Sequence, residues 1–491
     1  MSHVDLREWL EAVRSRGELE CISGADWNLE MSSIVELVYR HGKDPKPALL
    51  FDEIPGYPRG YRTLFGMLGS LWRISKTLGL PVDGGEINRM RVHQHWYDKA
   101  KTIKPVPPQV VSSGPVLENT ATEGQIDVLK FPAPFFHEHD RCRYLGTGHA
   151  VIQKDPDTGC VNLGAYRIMV VDRNRLAIHA GRGQHGDIIM NKYFARGQTV
   201  PVVIAAGLDP VLWWVSCQKE TPWGASEYDR AGGIKGEPIE VIEGAHTGLP
   251  FPARAEIVIE GEIHAGEVVD EGPFGEWHGY YANRGLETVP EPIIRVKAIH
   301  HRNNPILTCS QMAVPPNTLN LMVSVADSVA IRRRLEEYGI PGVKGVWTYY
   351  GGTGGLFNVI SIEQAYTGHG RQAGLLASQY PSGMGAYTVV VEEDIDPSNL
   401  EQVVWAMVTR AQPDRSIQIL PYCHGANCNP AIPLSEKKNG DKDRLLTAAR
   451  VVIDGCRDYT WKEDWYPMAR LSPGMRANIQ EKWLSVFSRL I

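Results

Sequence analysis

Apolar residues recur with a helical period at the start of the chain. Those that lie three or four residues apart are Leu6, Trp9, Leu10 and Val13. Because Gly17 follows them, the pattern predicts an amphipathic helix over residues 5–16. Similar patterns predict a helix around 28–41, a strand over 48–54 and a helix near 70–79. The first part of the chain is therefore expected to be a small α/β region.

The pattern changes after residue 118, where short runs of strand-forming residues alternate with Gly, Pro, Asp and Asn. The runs that predict strands are 165–171, 202–206, 212–216, 255–262, 293–299 and 306–309. Many strands with few helices are typical of a barrel or a sandwich.

Helical and strand patterns alternate in the last third of the chain. Helices are predicted over 327–338, near 370–379 and after Ser398, and strands over 343–349, 357–362, 388–391 and 417–420. This alternation predicts an α/β layer. We expect three parts, an α/β region over 1–118, a β-rich domain over 119–312 and an α/β domain over 313–491.

The final predicted helix, over 474–490, has an apolar stripe. The residues on it are Ile479, Trp483, Phe487 and Leu490, and the aromatic residues Trp461, Trp465 and Tyr466 precede it. Such a stripe packs either on its own subunit or against a second copy of the chain. We expect the second arrangement, and therefore a homodimer or a higher homo-oligomer.

Composition and charge exclude several classes of partner. The 491 residues have a net charge of −6, 43% are hydrophobic and 22% are charged, as in ordinary globular proteins. No block of like charge offers a groove for nucleic acid or a polybasic contact for a membrane. The N-terminal segment is acidic, and no stretch approaches the roughly 20 apolar residues of a membrane span. We expect a cytoplasmic protein whose partners are small molecules.

Three motifs that could bind a metal or a phosphate have simpler interpretations. The eight cysteines include no CxxC pair, so Cys423, His424 and Cys428 lack the second pair of a zinc site. The glycines of 351–355 lack the Gly-Lys-Ser/Thr sequence that ends a phosphate loop, and they predict a tight turn. The sequence His-Glu-His-Asp at 137–140 would point its side chains to opposite faces of a strand, so we expect no metal there.

Two carboxylates flank a turn in the sequence Glu271-Gly-Pro-Phe-Gly-Glu276. Different surroundings can divide such a pair into an acid and a base. Acidic residues beside a Gly/Pro turn are also commonly solvated. The motif by itself leaves both interpretations open.

A second candidate site consists of Asn162, His185 and Glu227. An amide oxygen, an imidazole nitrogen and a carboxylate oxygen form a donor set that suits Mn²⁺ or Mg²⁺ shared with a ligand phosphate. The three residues lie far apart in the sequence. Their spacing therefore does not decide between a metal site and separate structural roles.

The ordered set of motifs resembles the UbiD-like decarboxylases, which use prenylated FMN. The stretches that carry the resemblance are Asp5-Leu-Arg-Glu-Trp-Leu, Asp155-Pro-Asp-Thr-Gly, Gly207-Leu-Asp-Pro and Pro252-Ala-Arg-Ala-Glu-Ile-Val-Ile-Glu-Gly running into Glu271-Gly-Pro-Phe-Gly-Glu276. The resemblance covers nearly the whole chain. It implies a mixed α/β fold with an N-terminal α/β region, a central split β-barrel that binds the flavin and a C-terminal α/β domain for oligomerisation.

The resemblance also implies a cofactor site. Asn162, His185 and Glu227 match positions that bind a divalent cation, usually Mn²⁺, against the flavin phosphate. Main-chain carbonyls near Ser216 and Cys217 match a K⁺ site. The cofactor-binding positions carried over are Asn162, Gly164, Ala165, Tyr166, Arg167, Gln184, His185 and Glu227. A flavin prenyltransferase is implied as the supplier of the cofactor.

The implied activity is that of a carboxy-lyase, which removes CO2 from an aromatic or heteroaromatic acid reversibly and without oxidation. Arg167, Glu271 and Glu276 match the family's Glu-Arg-Glu network, with Arg167 as carboxylate anchor and Glu276 as proton donor. Glu271 would orient the arginine. The position that is aliphatic in cinnamate-type relatives is Gly181, which favours a bulky aromatic acid over a slim acrylic acid.

Two alternatives come from other classes of protein. A split-barrel flavin oxidoreductase that transfers hydride would explain a β-rich flavin domain. It gives no role to Arg167, Glu271 and Glu276, and the dinucleotide fingerprint is absent from the sequence. The other alternative is a flavin-binding protein without catalytic activity.

Overall fold

The computed structural model describes residues 3–82, 87–218, 220–349, 355–380, 385–437 and 446–490, without the side chains of 488–490. The turn predicted at the glycines of 351–355 lies outside these residues except for its last position. The helices are α1 Leu6–Ser15, α2 Glu30–His41, α3 Leu71–Thr77, α4 Arg89–Ala100, α5 His185–Ala195, α6 Pro210–Ser216, α7 Glu227–Lys235, α8 Asn320–Glu337, α9 His369–Ala377, α10 Leu400–Arg410, α11 Pro413–Ser416, α12 Leu434–Lys437, α13 Pro473–Lys482 and α14 Leu484–Leu490.

The strands come from every part of the chain. They are β1 Leu19–Ser23, β2 Ala48–Asp52, β3 Arg62–Phe65, β4 Gln109–Val110, β5 Asn119–Thr122, β6 Tyr144–Gly146, β7 His149–Lys154, β8 Val161–Gly164, β9 Arg167–Val170, β10 Arg175–His179, β11 Val200–Ala206, β12 Glu240–Glu243, β13 Pro250–Pro252, β14 Ile257–Glu271, β15 Val289–His301, β16 Ile306–Cys309, β17 Val343–Thr348, β18 Phe357–Ile362, β19 Tyr387–Glu392, β20 Ile417–His424 and β21 Thr447–Asp454.

The N-terminal helix forms as its sequence pattern predicts. The side chain of Asp5 caps α1 by accepting a hydrogen bond from the backbone N–H of Glu8 at 3.0 Å. All four apolar residues of the predicted face are buried, and the Trp9 indole donates to the Thr77 hydroxyl at 3.0 Å. Beside the helix lies a four-stranded sheet in the order β1-β2-β3-β16. Strand β16 is contributed by residues that follow the central sheet in sequence.

The central sheet has nine strands. Its order is β6-β9-β10-β15-β14-β11-β7-β8, and β5 pairs with β15. Every pair in it is antiparallel, and β14 carries register shifts after Glu260 and Ile263 that bend the sheet into a half-barrel. Strand β11 is buried on both faces, because Val202 and Ile204 lie in one apolar core and Val203 lies in another. This explains the continuous apolar run at 202–206.

The C-terminal part contains a five-stranded mixed sheet. Its order is β17-β18-β19-β21-β20, with parallel pairs at its centre and an antiparallel pair at each edge. Helices α8, α9 and α10 pack against it. The alternation of helices and strands predicted for this region is therefore present. The domain limits proposed from the sequence remain predictions.

The predicted strand at 212–216 is wrong, because these residues belong to helix α6. Asp209 caps the helix through its side chain and Pro210 occupies the first turn. All seven residues of the helix are buried. Its apolar residues therefore show no helical period in the sequence, and short buried helices resemble buried strands.

The last helices also differ from the prediction. Helix α8 begins at Asn320, seven residues before the predicted start at 327, because its first turns are buried on most sides and hide the period. The predicted helix over 474–490 is interrupted at Trp483, whose backbone is not helical. The apolar stripe is therefore divided between α13 and α14.

Candidate active site

Three charged residues that are far apart in the sequence meet at one end of the half-barrel. Arg167 is the first residue of β9, Glu271 is the last residue of β14, and Glu276 lies in the loop that follows. Strands β10 and β15 lie between β9 and β14 in the sheet. The sheet therefore supplies a rigid support for the arginine and for one of the two carboxylates.

Arg167 is held by both glutamates. Its Nε and Nη2 donate to the two carboxylate oxygens of Glu271, each at 2.8 Å, in the bidentate geometry that a guanidinium favours. Its Nη1 donates to Glu276 Oε1 at 2.9 Å. Two further donors complete the network, the Tyr144 hydroxyl to Glu271 Oε1 at 2.8 Å and the Asn283 amide to Glu276 Oε1 at 2.6 Å.

The surroundings fix the charges of this network. Burial raises the pKa of the Glu271 carboxyl, but the hydrogen bonds and positive charge of Arg167 outweigh burial and bring the pKa below its ordinary value. Burial lowers the pKa of Arg167, but the hydrogen bonds to Glu271 and the negative charges of Glu271 and Glu276 together raise it by more, so the pKa lies above its ordinary value. Burial raises the pKa of Tyr144 well above its ordinary value. Glu271 is thus an anion that accepts hydrogen bonds from the cationic Arg167 and from the neutral Tyr144 hydroxyl.

A short loop carries Glu276, and Asp140 anchors it. Asp140 Oδ1 accepts hydrogen bonds from the Gly275 N–H and from the Tyr281 hydroxyl, both at 3.0 Å. The ring of Phe274 lies 5.0 Å from the Arg167 guanidinium carbon. The loop is therefore fixed both by the aspartate and by the arginine that it faces.

The motif at 137–140 has a role that its sequence did not reveal. These residues form a turn, not the strand assumed above, and His137 Nδ1 lies 3.3 Å from Asp140 Oδ2. His139 packs instead against the ring of Tyr281. Sequence reasoning considered this motif only as a metal site, whereas Asp140 supports the loop that carries Glu276.

The second candidate site gathers three side chains from three elements. Asn162 lies in β8, and His185 and Glu227 are the first residues of α5 and α7. His185 Nδ1 and Asn162 Oδ1 are 3.2 Å apart. Glu227 Oε2 accepts the N–H of Leu163, the neighbour of Asn162, at 2.7 Å. The structure thus places His185 beside Asn162, and Glu227 against the backbone of the next residue.

The chemistry of this donor set fits a divalent cation. Burial raises the pKa of Glu227 to about 7, because the loss of solvent around the carboxylate outweighs the hydrogen bond from the Leu163 N–H and the positive charge of Arg230. Burial lowers the pKa of His185, which favours the neutral imidazole that binds metals. Oxygen, nitrogen and oxygen donors suit Mn²⁺ or Mg²⁺.

One hexapeptide, residues 162–167, connects the two sites. It contains the predicted cofactor positions Gly164, Ala165 and Tyr166. The Ala165 N–H donates to the carbonyl of Ser216 at 3.1 Å, and the Tyr166 hydroxyl accepts the N–H of Gly186 at 2.9 Å. A ligand that touches the donor set at one end of this segment can therefore extend to Arg167 at the other.

The remaining predicted positions lie beside this segment. Gln184 precedes α5, and its side-chain oxygen accepts the N–H of Gly181 at 2.9 Å. Among the described residues, Cys423, His424 and Cys428 do not appear together as a group of candidate metal ligands, and the two cysteines form no disulfide. Within the same described part of the chain, His179, Glu271 and Glu291 bring one ligand atom each to within 4.8 Å of one another. Sequence reasoning missed this group.

Comparison with known proteins identifies the family. Three family models of 3-octaprenyl-4-hydroxybenzoate carboxy-lyase match, the N-terminal domain over residues 10–86, the Rift-related domain over 109–315 and the C-terminal domain over 320–455. The phenolic acid decarboxylase of Bacillus subtilis is 32% identical over 434 residues, which cover 86% of this chain and 88% of the relative. The chain belongs to the UbiD family.

Other members of the UbiD family resemble it over a similar length. The pyrrole-2-carboxylic acid decarboxylase of Pseudomonas aeruginosa is 31% identical over 464 residues, which cover 91% of this chain and 90% of the relative. The UbiD-class enzyme HmfF from Pelotomaculum thermopropionicum, in complex with FMN, matches with a TM-score of 0.82 and 26% identity, over 96% of this chain and 98% of HmfF. An evolved dimeric form of HmfF in complex with prFMN matches with a TM-score of 0.79 and 27% identity, over the same shares.

These comparisons confirm the predicted family, the mixed α/β fold class and the carboxy-lyase class of enzyme. Neither the hydride-transferring oxidoreductase nor the flavin protein without activity agrees with membership of a carboxy-lyase family. Among the described residues, no helix combines the length and the apolar character needed to cross a bilayer.

Proposed function

We propose that this UbiD-family enzyme is a prenylated-FMN-dependent, reversible, non-oxidative decarboxylase of an aromatic or heteroaromatic carboxylic acid. The observation that carries the proposal is the network of Arg167 with Glu271 and Glu276, joined by one hexapeptide to a donor set for a divalent cation. Solved structures of the relative HmfF with FMN and prFMN support the choice of cofactor.

Arg167 is proposed to anchor the substrate carboxylate. A guanidinium has five N–H donors in one plane. Three of them bind Glu271 and Glu276. One N–H on each terminal nitrogen has no acceptor among the residues that the structure describes, and we propose that these two donors bind one carboxylate.

Glu276 is proposed to be the acid and Glu271 the permanent anion. Both oxygens of Glu271 accept hydrogen bonds from Arg167, and its pKa is lowered as described above. Both hydrogen bonds that described residues donate to Glu276 end on its Oε1. Oε2 is therefore the oxygen that can carry a proton towards the substrate.

The reaction follows from these roles. Prenylated FMN, when bound, supplies the sink for the electron pair that is released when the bond to CO2 breaks. Arg167 holds the carboxylate until CO2 leaves, and Glu276 then gives its proton to the carbon that lost CO2. Glu271 keeps its charge and fixes Arg167 throughout. The same groups catalyse carboxylation when CO2 is abundant, because each step can run backwards.

Asn162, His185 and Glu227 are proposed to hold Mn²⁺, or Mg²⁺, against the flavin phosphate, with K⁺ at carbonyls near Ser216 and Cys217. The cation would neutralise the phosphate and the buried Glu227 carboxylate together. Because the proposed cofactor is the prenylated form of FMN, a flavin prenyltransferase is the proposed supplier. A cytoplasmic location remains a prediction from the sequence.

Loss of the metal ligands is expected to prevent cofactor binding. In His185→Ala or Glu227→Gln the phosphate charge lacks its cation, so the protein should purify with little flavin. It should also lose the stabilisation that a ligand provides, about 2.7 kcal/mol at a concentration of 100 times Kd. Elemental analysis, the flavin spectrum and thermal unfolding measure the three effects.

The matched control for this prediction is His264→Ala, which removes a partly exposed histidine that pairs with Glu262 on β14. It should retain metal and flavin. Full flavin occupancy in metal-free His185→Ala protein would contradict the assignment of the ligands.

The substrate is proposed to be an aromatic acid. The names of the Bacillus and Pseudomonas relatives both denote aromatic acids. A Cβ at position 181 would lie only 3.3 Å from the Gln184 side chain, whose oxygen accepts the Gly181 N–H. The local turn therefore accounts for the glycine, and the space for a bulky acid stays a prediction from the sequence. The test is co-expression with a flavin prenyltransferase, followed by CO2 release from hydroxybenzoic, pyrrole-2-carboxylic and acrylic-type acids. Activity confined to the small acrylic acids would contradict the proposed substrate class.

The C-terminal helices are proposed to hold a homo-oligomer together. In α13, the linker and α14, the side chains of Met475, Trp483 and Leu484 are about half exposed or more in the single chain. Deletion of 472–491 is expected to give monomers, measured by light scattering after gel filtration. Val268→Ser, at an exposed apolar residue of β14, should leave the mass unchanged. An unchanged mass after the deletion would reject the proposal.

A further inference from the structure

A pair formed by a histidine and a glutamate lies beside the proposed catalytic network. His179 Nδ1 lies 2.6 Å from Glu291 Oε1. The side chain of Glu291 is 12% exposed and that of His179 is 26% exposed. Ligand atoms of both residues lie within 4.8 Å of a carboxylate oxygen of Glu271. The pair is therefore close enough to influence the charge and the position of that carboxylate.

The sheet places the pair in register with the network. Residue His179 of β10 is directly opposite Arg167 of β9 in their antiparallel ladder. On the other side of β10, Ala177 is opposite Ile293 of β15. Because the two strands are antiparallel, His179, two residues after Ala177, is level with Glu291, two residues before Ile293. Directly opposite residues share one face of a sheet. The arrangement is thus a row of side chains on neighbouring strands, next to the end of β14.

The row places His179 among several carboxyl groups. The groups that face His179 are Arg167 on β9, Glu291 on β15, Glu271 on β14 and, beyond Glu271, Tyr144 on β6. Arg167 already binds two carboxyl groups, and Glu291 adds a third carboxyl group in a poorly solvated place. A protonated His179 would balance the charge of the Glu291 carboxylate.

We infer that the His179–Glu291 pair is a positioning element of the active site, which keeps Glu271 charged and in place and thereby keeps the free N–H groups of Arg167 directed at the substrate. The inference rests on the proposed roles of Arg167 and Glu271. In this proposal His179 and Glu291 are positioning residues and not catalytic residues. They act through Glu271, whose lowered pKa has the charge of His179 among its causes, after burial and Arg167.

The first test measures kinetics. His179→Gln and Glu291→Gln should each lower kcat by roughly 10- to 100-fold, the change that corresponds to loss of one hydrogen bond to a charged group. Metal and flavin content should stay at the wild-type level. The pH profile of kcat/KM should also change shape in His179→Gln, because the variant cannot change its charge at that position.

A second histidine–glutamate pair, which lies on β15 and β14, provides the control. His300 Nε2 lies 3.1 Å from Glu260 Oε1, and both side chains are buried. His300→Gln and Glu260→Gln remove the same chemical groups eleven residues away from Glu271 along β14. They should leave kcat and the pH profile unchanged. An effect as large as that of His179→Gln would show that the role is only structural and would overturn the inference.

The second test needs neither substrate nor activity. In ¹⁵N-histidine NMR of the cofactor-free protein, the resonance that disappears in His179→Gln identifies His179. Its titration midpoint should move to lower pH in Glu271→Gln, because coupling between two charges is reciprocal, and should not move in Glu260→Gln. An unmoved midpoint in Glu271→Gln would overturn the inference, even where the wild-type enzyme is an active decarboxylase. A different outcome would reject only the proposed function. In that case the His179 midpoint moves in Glu271→Gln, but the wild-type enzyme has no activity on any aromatic acid.

Discussion

Glu276→Gln is expected to lower the rate of decarboxylation by roughly 10²–10⁴-fold, the usual contribution of general acid catalysis. The glutamine keeps the shape of the side chain, and its amide oxygen can still accept from Arg167 and Asn283. It has no proton to give to the carbon that lost CO2. The flavin should bind normally, because the change lies away from the metal ligands. Single-turnover assays with the flavin-loaded enzyme measure this loss.

The control for this variant is Glu267→Gln, a carboxylate on β14 that also pairs with an arginine, Arg295. Because Glu267 lies on the exposed part of the strand, its loss should change the rate little. A wild-type rate in flavin-loaded Glu276→Gln would show that the proposed acid is wrong. Glu271 or a water molecule would then have to give the proton.

Arg167→Lys is expected to lower kcat/KM by roughly 10²–10³-fold, the loss typical when a fixed donor to a reacting group is removed. An ammonium cannot bind Glu271 in two places and the substrate carboxylate in two more. One oxygen of the buried Glu271 also loses its partner, which should lower the free energy of unfolding by about 1–3 kcal/mol. Steady-state kinetics and denaturant unfolding measure the two effects.

Arg295→Lys is the matched control, because Arg295 makes the same kind of bidentate pair with Glu267 at the surface. It should change stability by about 0–1 kcal/mol, as surface ion pairs do. Equal losses of stability in the two variants would contradict the special position of Arg167. A wild-type kcat/KM in Arg167→Lys would reject its role as carboxylate anchor.

The sequence predicted the helices that bury only one face and the strands that consist of a short apolar run. Helix α1 follows from its apolar face, and strand β18 over 357–362 follows from a short apolar run. Helix α6 could not be recognised, because all of its residues are buried and no polar face marks its period. The interruption at Trp483 was also invisible, because the apolar spacing continues across it.

The candidate site could be predicted only where motifs are local or match the family. Glu271 and Glu276 attract attention because they flank one turn. Their partners do not, because Tyr144 and Arg167 come from strands more than a hundred residues earlier in the chain. The same reason hid the pairing of His179 with Glu291. Contacts between distant strands depend on the order and register of the sheet, which no local pattern contains.

The central claim is that this enzyme exchanges CO2 with an aromatic acid on prenylated FMN. The most direct measurement is the incorporation of ¹³CO2 into the carboxylate of a panel of aromatic acids, with protein co-expressed with a flavin prenyltransferase and with flavin-free protein beside it. The account predicts that label enters at least one acid with the loaded enzyme, that Glu276→Gln reduces the incorporation, and that flavin-free protein incorporates none. Absence of label from every aromatic acid with fully loaded wild-type enzyme would contradict it.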